Sequence, residues 1–272
     1  MTLPKWVALQ KNKTMKIILT FLIGTLLLTC NQLQAQNAHF IISGVIEYEK
    51  TVNTFAILKK QINKDNEAFY QPIYDQYVKN QPQFKKLKST LNFAEDKTLF
   101  MPIAEENNSG NFFSNIPILT QNNTILTDLK TGTFVDQKMV FDESYLLKDS
   151  TRKIRWKITD ETREIAGYTC RRANALVLDS VYVVAFYTDK IPVSGGPESF
   201  TGLPGMILGV ALPHENVTWF ATKVTEMTVE SKALTPPKKG KPVNNKELRK
   251  TLEAAIKDWG AEGRAYLKEF SL

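Results

Sequence analysis

Apolar positions along this chain follow two rhythms. Residues 41–48, Ile-Ile-Ser-Gly-Val-Ile-Glu-Tyr, are rich in β-branched side chains and predict a first strand. From residue 54 the interval lengthens. Ile57, Leu58, Ile62, Phe69, Ile73, Tyr74 and Tyr77 recur at near-helical spacing among Lys, Glu, Asp and Gln. That pattern predicts an amphipathic helix over 54–80, interrupted at Pro72 and closed by Gln81-Pro82. Strand-like runs resume at 87–93 and 98–103, and residues 104–123, rich in Asn and Ser, read as a surface loop. Further runs follow at 123–128, 133–141, 143–147, 152–158, 168–178, 181–188, 206–212 and 217–227. Short strands divided by turn residues predict an antiparallel sheet of hairpins, with the nearly unbroken apolar run 181–187 as a central strand.

At 236–243 a basic, proline-rich linker ends the sheet, because proline extends the chain and lysine keeps it solvated. A helix over 244–272 follows, with Asn244 or Asn245 as N-cap. Leu248, Leu252, Ile256, Trp259, Tyr266, Leu267 and Phe270 form its apolar face. The expected fold class is mainly β (α+β): a curved antiparallel sheet or open half-barrel, with one helix in the N-terminal half and one at the C-terminus.

The first 35 residues read differently. Lys11, Lys13 and Lys16 precede an uncharged run from 17 to 30, and Ala35 gives a small residue at a cleavage point before Gln36. A basic start, apolar middle and small-residue exit describe a cleaved signal peptide, with Met15 as an alternative start. The run is too short for a comfortable transmembrane helix, which takes about 20 residues. Cys30 offers a second exit, as a lipidation site in a loose lipobox, Leu27-Leu28-Thr29-Cys30. The domain expectation is therefore 1–35 leader, 36–235 β-rich domain, 236–243 linker and 244–272 helix, exported to the periplasm or associated with the outer membrane.

Charge and cysteine count both simplify once the leader is set aside. The formal +7 includes Lys5, Lys11, Lys13 and Lys16 with no acid before Gln36, so +3 remains. Spread over a whole domain, that balance does not point to nucleic acid. Cys170 is left alone, without a disulfide partner.

Candidate chemistry is sparse. His39 and His214 are the two histidines, and neither has a second ligand at metal-binding spacing, so no metal and no cofactor is expected. Cys170 with His214 is the one nucleophilic pair that can be written, against the plainer reading of a packed thiol and an exposed imidazole. No Gly-x-Ser-x-Gly elbow or phosphate-binding glycine loop is present. Asp160, Glu161 and Glu164 read as a solvated turn. Gly195-Gly196 opens a turn whose backbone N–H groups suit an anion nest or, more plainly, a strand connection. Phe200 lies between that turn and the next. Trp156, Tyr168, Phe186, Tyr187 and Trp219 line a sheet face, as core or as the walls of an apolar pocket. In Gly-Leu-Pro-Gly-Met-Ile (Gly202, Leu203, Pro204, Gly205, Met206, Ile207), Pro204 and Gly205 predict a type II turn launching a buried strand.

These residues carry a resemblance. Residues 156–170, 187–197 and 202–208 resemble blocks of the exported bacterial GLPGLI family, whose activity is uncharacterised. The resemblance implies an exported, mostly β, single-domain protein and supplies no catalytic residue. Met206 stands where that family usually has leucine, Phe186 where tryptophan is common, and Gly209 where an acid often follows. The expected function is non-enzymatic binding of an apolar ligand or peptide on a concave sheet face, with Trp156, Tyr187, Gly195, Gly196 and Phe200 as candidate contacts. The alternative is an accessory module docking on another envelope protein or the membrane surface through its C-terminal helix. An enzyme using Cys170 comes third.

Overall fold

The computed structural model describes residues 39–104, 116–120 and 123–272. Every described helix and strand belongs to the unit Phe40–Leu272. The predicted leader and most of the 104–123 loop lie outside the described residues.

After β1 (Ser43–Asn53) the chain forms α1 (Thr54–Gln61) and α2 (Glu67–Asn80). It then lays down β2 (Phe84–Ala94), β3 (Lys97–Pro102), β4 (Thr124–Asp128), β5 (Thr133–Val140) and β6 (Glu143–Ser150), each antiparallel to its predecessor. A second meander returns from the other edge: β7 (Lys157–Ile165), β8 (Tyr168–Val177), β9 (Val181–Thr188), β10 (Met206–Leu212) and β11 (Val217–Glu226). β11 pairs with β1, so the two meanders join mid-sheet. The result is one twelve-stranded sheet, β12-β6-β5-β4-β3-β2-β1-β11-β10-β9-β8-β7, open at both edges.

The single helix expected over 54–80 is two helices, and the break is not at Pro72. Pro72 lies inside α2, whereas residues 62–66 leave the helix. Asparagine explains this. Asn66 Oδ1 accepts from the Asn63 N–H, Asn63 Oδ1 from the Asp65 N–H, and the Asn66 amide donates to Gln61 O. Side chains that satisfy the backbone locally compete with continued helix.

The C-terminal helix is likewise two, α3 (Asn245–Ala255) and α4 (Gly260–Ser271). Asn244 caps α3 in a reciprocal capping box with Glu247. Residues 256–259 turn the chain between them, and Gly260, at φ +57°, opens α4. Leu248, Leu252, Tyr266 and Phe270 bury their stripe against Val140 of β5 and Leu147 of β6.

Two further differences concern strands. Asp160, Glu161 and Glu164 are not a turn but part of β7, an edge strand exposed along nearly its whole length, so no alternation marks it. Inside the expected linker, Lys241–Val243 form β12, a short parallel edge strand beside β6 that tolerates Pro242 because an edge leaves its missing N–H unneeded. Where a surface loop was expected, Ile116, Ile118 and Leu119 are buried, around a 3₁₀ turn at Pro117–Leu119.

Residues directly opposite across a ladder share a face. Ile46, Leu91, Phe100, Ile125 and Asp136 make one such row across β1 to β5. Tyr48, Lys50 and Val52 continue the same face along β1, and Lys50 stands opposite Leu87 of β2 and Trp219 of β11. An apolar face therefore carries buried charges at Lys50, Asp136 and Lys138.

Candidate functional site

Above Lys50 lies a cavity of about 60 Å³. Its floor is the sheet: Lys50, Lys138 and Trp219. Its walls are Glu198, Phe200, Pro117, Ile118, Thr120 and Asn123; Glu269, Phe270 and Leu272 of the C-terminal end roof it.

The roof is pinned by polar contacts to separate parts of the chain. Lys138 Nζ donates to Phe270 O at 2.9 Å, Arg152 to Ser271 O at 2.5 Å, and Ser199 Oγ to Leu272 O at 2.9 Å. Carbonyls in a helix's last turn have no partners within it, and two of these donors are cations, which suit the negative end of the helix dipole. Lys268 completes the clamp with Glu215 at 2.8 Å.

Inside, Lys50 is only 4 % exposed. It donates to Thr120 O at 2.7 Å and stands 5.1 Å from the centre of the Trp219 ring. Among the described residues no carboxylate comes within 4.0 Å of it. Burial pulls its pKa down to about 8, against the upward pull of Glu198 and Glu269. Glu269 accepts the Ile118 N–H at 3.2 Å, yet burial raises it to about 7. Glu198 accepts from Asn123 Nδ2 at 3.0 Å. Behind them Asp136, 3.7 Å from Lys138, is raised by burial to about 6. Trp219 Nε1 and Asp136 Oδ1 are buried with no hydrogen-bond partner among the described residues. Buried charge without close pairing is costly, so its retention here singles the cavity out.

Of the five candidate contacts read from the sequence, one lines this site. Phe200 lines it, its ring 6.2 Å from Trp219. Trp156 Nε1 donates to Thr201 O at 2.9 Å and so holds the next residue along. Tyr187 is 3 % exposed and packed in the core. Gly195 and Gly196 are sites of close approach: a Cβ there would lie 2.6 Å from Thr98 Cγ2 and 2.8 Å from both Ile207 Cβ and the Phe200 carbonyl oxygen. The Gly195 N–H is already given to Val193 O.

The Gly202 to Ile207 stretch braces the core. Its turn is not type II: the Gly205 N–H bonds Leu203 O, a three-residue γ-turn centred on Pro204. Gly205, at φ +147°, is required because a Cβ would lie 2.1 Å from the Thr188 carbonyl oxygen. Leu203, Met206 and Ile207 are buried, and Ile207 O accepts the Tyr48 hydroxyl at 2.6 Å.

Cys170 and His214 form no nucleophilic pair. The thiol is fully buried, donates to Tyr168 O at 3.4 Å and is pushed up to about 12 by burial, whereas His214 lies in an exposed 3₁₀ turn. Among the described residues no group of three or more His, Cys, Asp or Glu is placed to hold a metal ion. No helix among them is long and apolar enough to cross a membrane.

Lys50, Asp136, Lys138, Glu198 and Glu269 carry the site and were missed as candidates. A signal existed: Lys50 follows Ile46 and Tyr48 at an inward interval, and Asp136 and Lys138 sit between Phe134 and Val140. Ending the first strand at Tyr48 hid the former.

Fold and site together define a mainly β protein: an open sheet with a charged cavity under a C-terminal helical roof. Residues 176–209, from the end of β8 into β10, match a family described as a protein of unknown function (Porph_ging). No curated protein matches. Two solved structures of PNGF-II, in C2 and P21 space groups, resemble the fold with TM-scores of 0.48 and 0.47 at 16 % and 19 % identity. They cover 75 % and 77 % of this chain, which spans 31 % and 33 % of theirs.

Proposed function

We propose that this is an exported cell-envelope protein of the GLPGLI type that binds a ligand without transforming it, at the cavity above Lys50. Three sequence features support export and family: the basic-apolar-small order of residues 1–35, the 156–170 block and the 202–207 motif. The observation that carries the binding site is a buried lysine with no close carboxylate among the described residues, lining one cavity with Glu198 and Glu269. Tyr187 is enclosed in the core and Trp156 packs against that core, so the ligand offers a polar end to the cavity rather than an apolar body to an open face.

Native mass spectrometry of the full chain, secreted and purified without denaturant, tests this reading. A bound mass present in the natural sequence and absent from Lys50→Met supports it. An identical bare mass for both, together with no shift in melting temperature across a metabolite panel, would refute it. N-terminal sequencing in the same preparation should begin at Gln36; a lipid-modified Cys30 would instead place the protein on a membrane.

Docking as an accessory module has one observation in its favour. With the apolar stripe of α3 and α4 already buried, Phe141 and Trp259 remain partly exposed, 5.6 Å apart. Trp259→Ala should then abolish capture of a partner while the fold melts unchanged.

A further inference from the structure

The groups around the cavity are sorted by charge. On the floor, Lys50 has a carbonyl and an indole ring as its described partners. On the walls and roof, Glu198 and Glu269 are each held by one donor at Oε2, from Asn123 and Ile118. Among the described residues the Oε1 of each accepts no hydrogen bond. Lys138, the other cation lining the space, is already committed to Phe270 O and Asp136. What remains is one cation and two glutamates lining the same cavity, with neither glutamate within 4.0 Å of the Lys50 nitrogen.

Ligands of net charge fit this poorly. An anion that reached Lys50 would face Glu198 and Glu269, and a cation that reached the carboxylates would face Lys50. With both glutamates ionised the lining would carry one net negative charge; burial raises Glu269 toward its protonated form, which leaves one cation against one carboxylate, and a ligand of net charge then unbalances them away from water. A dipolar head group satisfies both ends at once. At about 60 Å³ the space takes a head group of a few heavy atoms and no sugar ring or acyl chain.

Resting on the binding reading above, we infer that the cavity takes a small zwitterion of the α-amino-acid class, its carboxylate on Lys50 and its ammonium on Glu198 and Glu269.

Calorimetric titration of the full chain with glycine tests the assignment, against acetate, methylamine and glycerol as the separate halves and a neutral polyol. Glycine should bind at least about tenfold more tightly than any of the three, since each lacks one charge-assisted contact. Glu269→Gln and Lys50→Met, both verified as folded by circular dichroism and urea melting, should each weaken glycine by about tenfold or more. Acetate or glycerol binding as well as glycine, with loss in Lys50→Met, would overturn the zwitterion and leave the cavity a binding site. No heat from any of the four and no bound mass in the native protein would overturn both. Glycine binding that persists unchanged in both variants would place it elsewhere and equally overturn the assignment.

Discussion

Lys50 and Trp219 stand directly opposite each other on β1 and β11, and the ammonium lies 5.1 Å from the centre of the indole ring. The pair sits where the two meanders of the sheet meet, so a buried charge lies at the seam between them. A ring face offers a cation partial compensation for lost water and falls short of a carboxylate.

Replacing that cation should therefore relieve the fold. Lys50→Met keeps the length of the side chain and removes the buried charge, at the cost of the bond to Thr120 O. We expect a rise in stability of about 1–2 kcal/mol, read from the urea midpoint at pH 7. A fall of several kcal/mol would mean that the charge is firmly paired.

Stability should pass through a minimum between pH 7 and 8. Glu269 is held at about 7 and Asp136 at about 6, against 4.5 and 3.8 when free. The folded protein therefore holds more protons than the unfolded chain over that range, and stability is lost as pH rises through those values. Lys50 is held at about 8 against 10.5, so the unfolded chain holds the extra proton above pH 8 and stability returns until about pH 9, where Cys170, raised from 9.0 to about 12, begins to oppose the gain. Asp128 and Asp149 are lowered by backbone N–H bonds and act only below the usual carboxylate range. Thermal melts from pH 4 to 10 should show the dip, and Glu269→Gln should flatten its acidic limb.

Gly205→Ala and Gly167→Ala separate crowding from backbone conformation. Both glycines have positive φ, but a Cβ at Gly205 meets Thr188 O at 2.1 Å while one at Gly167 meets nothing within 4 Å. The first should cost at least about 3 kcal/mol or prevent folding, and the second about 1 kcal/mol. Equal losses in urea melts would assign both to φ alone.

Cys170 should be inert in the native protein. With its thiol buried and raised to about 12, iodoacetamide at pH 8 should label it only after unfolding in urea. Rapid native labelling would restore it as a candidate nucleophile.

What could be read along the chain was whatever local periodicity encodes. Most of the strands, the Asn244 cap and the amphipathic stripe of the last helix follow from spacing, because side chains alternate in a strand and recur near 3.6 in a helix. Edge strand β7 escaped that reading since both its faces meet solvent. β12 escaped because three residues hold no period. The asparagine-rich break at 62–66 outweighed Pro72 through side-chain bonds that helix propensity does not count.

The sequence alone determined an antiparallel, hairpin-built sheet and a turn at Pro204 and Gly205 that launches a buried strand. Only the tertiary structure decided which residues share a cavity. Lys50, Glu198 and Glu269 are separated by long stretches of chain, and nothing in their neighbours records the meeting. Their convergence depends on β11 closing against β1 and on α4 being pinned by Lys138, Arg152 and Ser199. A charge on an apolar face becomes expensive only once the fold removes its water, so the site's chemistry comes into being with the packing.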